Sequence, residues 1–250
     1  FTVSVVDTTD PSIAAPIDIT QEANGVLSTV DLGTPIVSDA VDASLIVTNN
    51  APAGFPVGTT VVTWTATDAS GNSQTDTQSV TITDLTPPTI TSPADQTFEA
   101  TGPETTPTLV LATATDIADS NPAITYAPNS FAVGVHTVTW TATDASLNSV
   151  TETSQVTITD LTAPVISAHD PVTAEATSAD GAVVAYDSPT ATDLVDGSVV
   201  VACLPVSNST FDLGDTTVNC SATDIHSNTA NSSFTVSVVD TTDPSIAAPI

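Results

Sequence analysis

Lysine and arginine are both missing from this chain. Its 250 residues carry 29 acidic side chains against three histidines, a formal charge of −29. That absence excludes partners. Affinity for nucleic acid and for anionic membrane surfaces comes mainly from Lys and Arg on phosphate, so neither is expected here, and cations are. A chain without Lys or Arg also offers trypsin-like proteases no cleavage site, which suits a long-lived surface fibre. Only two cysteines occur, Cys203 and Cys220, too few to fix a redox compartment by counting. No window approaches 18 consecutive apolar residues, so no membrane insertion is expected in this segment. Phe1 opens in mid-strand with no signal-peptide pattern, and any targeting segment is expected outside this stretch.

What remains is rich in Thr, Val, Ala and Ser. Hydrophobic residues make up 40% of the chain and charged ones 12%, the reverse of a disordered composition. β-Branched side chains dominate, and no segment holds a helical period, so the expected product is sheet.

The chain repeats itself. TATDAS at Thr65–Ser70 returns at Thr141–Ser146 and, as SATDIHS, at Ser221–Ser227. Each copy follows an apolar alternation: Val62, Trp64, Ala66; Val138, Trp140, Ala142; Val218, Cys220, Ala222. Period two means strand. A second alternating run follows, closed by an Asp-x-Thr-x-Pro hinge in SVTITDLTPP and QVTITDLTAP, and by FTVSVVDTTDP in the third copy. Asp7, Asp84, Asp160 and Asp240 are thereby equivalent, 77, 76 and 80 residues apart. The expected domains are 7–83, 84–159 and 160–239. Residues 1–6 are the last strand of a preceding domain or an exchanged strand, and 240–250 start the next repeat. Residues 1–17 also recur unchanged as 234–250, a period of 233. This fits a window of a longer array, or a subunit whose first strand completes a neighbour. Short alternating runs between Gly, Pro, Asn and Asp read as β-sandwiches, with strands in the first repeat near Ile17–Glu22, Ser28–Val37, Ser44–Thr48, Thr59–Thr67 and Gln78–Thr83.

Phe55–Asn72 (FPVGTTVVTWTATDASGN), Phe131–Asn148 (FAVGVHTVTWTATDASLN) and Phe211–Asn228 (FDLGDTTVNCSATDIHSN), each with its final strand and hinge, resemble hyalin repeat (HYR) domains. The resemblance spans nearly the whole chain. It implies an all-β fold of tandem immunoglobulin-like β-sandwich domains in a linear array, in extracellular proteins of adhesion and matrix, without catalysis. The family commonly carries a cysteine pair, which Cys203 and Cys220 match, so a disulfide is expected there. Trp64 and Trp140 stand where Cys220 does, as core residues rather than a carbohydrate platform.

The acids recur as well. Each repeat has a D-x-x-D (Asp39 and Asp42, Asp116 and Asp119, Asp193 and Asp196) and an Asp four residues before an Asn (Asp68 and Asn72, Asp144 and Asn148, Asp224 and Asn228). In a seven-strand sandwich both loops face the preceding domain. Glu22, Glu99 and Glu175 come shortly after the first strand at the other end, beside the hinge Asp. Stacking is expected to gather Glu22, Asp84, Asp116, Asp119 and Asp144 at one junction, and Glu99, Asp160, Asp193, Asp196 and Asp224 at the next. Asp7, Asp39, Asp42 and Asp68, with Asp10, form the N-terminal set, and Glu175 with Asp240 begins a further one. Five converging carboxylates with no Lys or Arg need a cation, and flexible oxygen ligands favour calcium over magnesium. His136, His169 and His226 share no ligand spacing, which argues against zinc, and His226 reads as a solvated loop residue. The competing reading is that Asp favours turns.

Three N-x-S/T sequons, at Asn208, Asn219 and Asn231, are candidate glycosylation sites. Acid pairs repeated in every domain read as ligands rather than as catalytic acid and base, so no enzyme is expected. The expected role is a structural filament or cell-surface stalk, rigidified by calcium and built from copies of itself or further repeats. The alternative is a calcium-dependent adhesin for a receptor or glycan.

Overall fold

A computed structural model describes residues 1–245, so the part of the expected next repeat at 246–250 lies outside the described residues. The described residues contain strands and turns but no helix. They form two compact units. The first holds Phe1–Pro93, Val110–Ala127 and Thr139–Ser154; the second holds Ala94–Leu109, Pro128–Val138 and the chain from Gln155.

In the first unit β1 (Ser12–Ala14) pairs antiparallel with β3 (Ile36–Ser38). Against it lies a sheet of order β2-β6-β5-β4, made of β2 (Ile19–Glu22), β4 (Ile46–Asn49), β5 (Gly58–Thr67) and β6 (Ser73–Thr83). The long β5–β6 hairpin is antiparallel, whereas β2 runs parallel to the end of β6. The alternation read from the sequence sends Val62, Trp64, Val80 and Ile82 inward, where they pack with Phe55 and Ala23. Two expected strands differ. Ser28–Val37 is broken because Asp31 accepts the Gly33 N–H at 3.1 Å in a turn with Gly33 at φ 76°, leaving a Ser28–Phe55 bridge and β3. The last strand starts at Ser73 rather than Gln78, since its polar first half is held by the hairpin ladder and not by burial.

From the second repeat, this unit also contains β7 (Thr89–Thr91) paired with β9 (Thr113–Thr115). In it β10 (Ala123–Ala127) pairs with Thr139–Thr143 of β11 (Gly134–Thr143). In the second unit β8 (Gln96–Glu99) runs parallel to Val156–Thr159 of β12 (Ser149–Thr159).

The third repeat lies wholly in the second unit. It comprises β13 (Val165–Ile166), β14 (Val172–Glu175), β15 (Ala182–Val184), β16 (Ala191–Asp193), β17 (Gly197–Val199), β18 (Val201–Leu204), β19 (Ser209–Phe211), β20 (Gly214–Thr223) and β21 (Thr229–Val239). Its main sheet has the order β14-β21-β20-β18, equivalent to that of the first repeat, with β13-β16-β17 and β15-β19 beside it. Val218, Phe234, Val236 and Val238 fill its core with Phe211 and Tyr186. Phe234–Val239 and the exposed residues 1–6 share one sequence, FTVSVV. It is a strand with alternate residues buried where β20 and β14 flank it, and no strand at 1–6.

One cross-strand position is filled three ways. Cys203 and Cys220 face each other on β18 and β20 and form a disulfide across 4.0 Å between Cα atoms. Its closed loop of 17 residues contributes about 3 kcal/mol. The second repeat places Tyr126 against Trp140, ring centres 4.9 Å apart. The first repeat sets Asn49 opposite Trp64, whose Nε1 donates to Gln78 Oε1 on β6 at 3.2 Å, as Trp140 Nε1 donates to Ser154 Oγ at 2.9 Å. Gln78, wholly buried, in turn donates to the carbonyls of Ile17 at 2.8 Å and Leu32 at 3.2 Å. Gln78→Leu keeps the volume but leaves the buried Trp64 indole N–H unpaired, at about 1–3 kcal/mol, and takes a donor from the Ile17 and Leu32 carbonyls. The variant is expected to lose about 1–3 kcal/mol in urea unfolding; an unchanged midpoint would show that the amide contributes nothing.

Candidate metal centres

Each candidate centre starts from a hinge aspartate. Asp7, Asp84 and Asp160 turn the chain, Oδ1 accepting the N–H two residues on at 3.0, 3.3 and 3.1 Å. The loop between the hairpin strands then grips the hinge. Asp68, Asp144 and Asp224 each accept the backbone N–H of the Asn four residues on at 2.8 Å. They accept its side-chain amide at 2.7, 2.9 and 2.9 Å. The same amide donates to the hinge carbonyls of Asp7, Asp84 and Asp160 at 3.3, 3.1 and 3.1 Å. Asp68, Asp144 and Asp224 are thus buried yet satisfied.

The D-x-x-D loop follows the strand that pairs with each repeat's first strand. Oδ1 of Asp39, Asp116 and Asp193 accepts two backbone N–H groups of its own turn, at 2.7–3.0 Å. These bonds hold the Asp39 carboxyl below the ordinary carboxylate range, the Asp42 N–H contributing most. Oδ2 of the second acid, Asp42, Asp119 or Asp196, accepts the N–H after the loop Asp at 2.9, 3.0 and 3.1 Å, tying the two loops together. One oxygen is left over in every copy. Oδ2 of Asp39, Asp116 and Asp193 is buried with no hydrogen-bond partner, as is Asp7 Oδ2.

Those oxygens belong to clusters. Asp7, Asp39 and Asp42 bring one carboxylate oxygen each within 4.8 Å of one another; so do Asp84, Asp116 and Asp144, and so do Asp160, Asp193, Asp196 and Asp224. At about 5 Å and an effective dielectric of about 20, each pair of like charges repels by about 3 kcal/mol. Such a set favours a cation.

The clusters differ from the expected sets. Glu22, Glu99 and Glu175 stand outside them, because the parallel pairing of β2, β8 and β14 sets each Glu beside the last residue of the final strand. There they staple the hinge. Glu22 accepts the Leu85 N–H at 2.6 Å and the Thr83 and Thr86 hydroxyls at 3.1 and 3.2 Å. Glu99 takes the Leu161 N–H at 2.8 Å and the Thr162 hydroxyl at 3.1 Å, and Glu175 takes the Thr241 N–H at 2.7 Å. Asp68 and Asp119 also lie outside the close groups, and Asp240 is exposed, its Oδ1 taking the Thr242 N–H at 3.1 Å.

His226 is not the solvated loop residue expected. Its side chain is 25% exposed, with Nδ1 at 3.1 Å from Asp160 Oδ2 and 3.5 Å from Asp196 Oδ2. The signal was in the sequence: His226 replaces the serine of TATDAS, Ser70 and Ser146 in the other copies. His136 contacts the Ala132 carbonyl and His169 stacks on Phe234, and neither belongs to an acid cluster among the described residues. The sequon residues Asn208, Asn219 and Asn231 are all exposed.

Comparison with known proteins places the repeats. The HYR domain pattern matches residues 6–82, 83–158 and 159–238. Hyalin from Lytechinus variegatus is 33% identical over 272 residues, covering 100% of this chain and 51% of that protein. Hyalin from Strongylocentrotus purpuratus is 33% identical over 273 residues, covering 98% of this chain and 22% of that protein. The chain thus spans about half or less of the length of these relatives. Among solved structures, Drosophila N-cadherin EC1-4 aligns over 92% of this chain and 76% of its own, at 13% identity and a TM-score of 0.36. Sidekick-1 immunoglobulin domains 1-5 align over 93% and 59%, at 12% and 0.39.

The Glu staples set an acid dependence. Hydrogen bonds from Leu85 to Glu22 and from Thr241 to Glu175 hold both carboxyls below the ordinary glutamate range. Their contribution is full above about pH 4 and is lost as pH falls through the lower folded values. Glu22→Gln is expected to be less stable than the parent at pH 6 and to close that gap by about pH 2. Chemical unfolding at both pH values tests it, and a gap independent of pH would refute the staple.

Proposed function

This chain belongs to the HYR domain family, and on that footing we propose that it is an extracellular structural segment whose repeats are modules joined by cation-filled hinges. The modules are 7–83, 84–159 and 160–239, with 1–6 and 240–250 belonging to flanking repeats or to strand exchange with another copy. The cation is calcium. Asp7, Asp39 and Asp42 hold the first, Asp84, Asp116 and Asp144 the second, and Asp160, Asp193, Asp196 and Asp224 the third, with Asp68 and Asp119 at the margin. Asp240 starts a further hinge.

One observation supports this above the rest. In all three repeats the same carboxylate oxygen, on Asp39, Asp116 and Asp193, is buried without a hydrogen bond, beside other carboxylates, in a chain with no Lys or Arg. Turn formation accounts for Oδ1 of each residue but gives Oδ2 no partner. A hard dication of six to eight oxygen ligands completes it, and backbone carbonyls and water supply the remainder. By neutralising charge from the hinge and from the loops of the following repeat at once, the ion opposes bending. That is the property a filament or stalk needs, assembled from further repeats or from copies of itself. Exposed Asn208, Asn219 and Asn231 are open to glycosylation in that setting.

Calcium at about 100 times its dissociation constant stabilises the folded state by about 2.7 kcal/mol per site. Scanning calorimetry in millimolar calcium is expected to show a melting temperature several degrees above that in EDTA. Asp116→Asn is expected to bind one calcium fewer by titration calorimetry. Identical melting curves with calcium and with EDTA would overturn the reading.

A further inference from the structure

The three clusters are not chemically equal. The first two present oxygen alone, from Asp7, Asp39 and Asp42 and from Asp84, Asp116 and Asp144, whereas the third adds an imidazole. His226 Nδ1 faces Asp160 Oδ2 at 3.1 Å and Asp196 Oδ2 at 3.5 Å, and the three residues form a ligand group of their own within 4.8 Å. Asp160 and Asp196 are shared with the four-carboxylate group, which contributes Asp193. Asp193 is 8% exposed and its Oδ2 has no partner, so a buried acceptor completes the set independently of the histidine.

We propose that the third cluster is a mixed nitrogen and oxygen site that takes a first-row transition dication of the zinc class, through His226, Asp160 and Asp196 with Asp193 alongside. The inference rests on the reading that these clusters hold cations, and gives this one a preference for a transition ion over the calcium it otherwise takes. Ligand type carries the argument. Imidazole suits zinc, cobalt and nickel, while calcium draws on oxygen alone, so one nitrogen donor among carboxylates shifts preference toward the transition series. Zinc accepts nitrogen and carboxylate ligands together and needs only four. The loop holds the backbone on both sides of His226: Ile225 N–H is tied to Asp196 and Asn228 N–H to Asp224. Ser70 and Ser146, at the same place in the other loops, offer no nitrogen.

The test uses the whole chain in millimolar calcium, with Zn²⁺ followed by titration calorimetry and Co²⁺ by its visible absorption. One equivalent of each is expected to bind. Loss of even an outer-shell partner costs about 10–100-fold in metal affinity, so His226→Ser, which restores the serine of the other repeats, is expected to weaken Zn²⁺ at least about tenfold. The calcium-dependent rise in melting temperature is expected to persist in that variant, which also reports that it folds. Ser146→His, conversely, is expected to add a second Zn²⁺ equivalent. Equal Zn²⁺ affinity in the parent and His226→Ser, or no Zn²⁺ uptake in calcium, would overturn the proposal. If zinc binds through His226 while calcium leaves melting unchanged, only the calcium reading fails; if calcium stabilises and zinc does not discriminate, only this inference fails.

Discussion

Carboxylates that converge without a cationic side chain to meet them are the constraint around which this chain is arranged. With no Lys or Arg, its only internal counter-charge is histidine, and one of the three histidines stands at a cluster. Every other acid must be solvated, hydrogen-bonded or matched from outside. The fold uses backbone N–H groups first. Asp39, Asp116 and Asp193 each take two, the loop Asp residues take an Asn, and the Glu residues take the hinge. What these donors cannot reach is the single Oδ2 left buried in each D-x-x-D turn. The same backbone groups that shape the turns thereby define where a cation is wanted.

The joints and the cores follow different rules. In the cores, one cross-strand pair is Asn49 with Trp64, Tyr126 with Trp140, or a disulfide, three unlike solutions for one position. At the joints the hydrogen-bond pattern repeats partner for partner, as in the 2.8 Å bond from Asn72, Asn148 and Asn228 to its Asp. Packing tolerates exchange because apolar contact is non-directional. A turn that must present particular carbonyls and carboxylates has less freedom. In the third joint His226 stands where the other two loops have serine, and it brings a nitrogen to the acids.

Much of this was legible in one dimension. Period-two alternation placed β5, β6, β11, β12, β20 and β21, because burial on one face of a pleated strand needs nothing beyond spacing two. Threefold recurrence located the hinges and the acid-bearing loops. What could not be read was which acids meet. Glu22, Glu99 and Glu175 are near the hinges in sequence, but the parallel pairing of their strands turns them onto hinge N–H groups and hydroxyls, a fact of register. His226 had no partner at ligand spacing, since Asp160 lies 66 residues away.

The hexapeptide FTVSVV marks the same divide. Its composition and alternation determine that it can be a strand with one apolar face, wherever it stands. Flanked by β20 and β14 it is one, with Phe234, Val236 and Val238 buried; at residues 1–6 the same side chains are exposed and no ladder forms. Sequence alone thus settled the all-β class, the repeat and the acidic loops, because these depend on local pattern and on charge. Burial, pairing and the membership of each acid cluster were decided by tertiary structure, because they bring together segments distant in the chain, as Asn148 reaches Asp84 across 64 residues and Asn228 reaches Asp160 across 68.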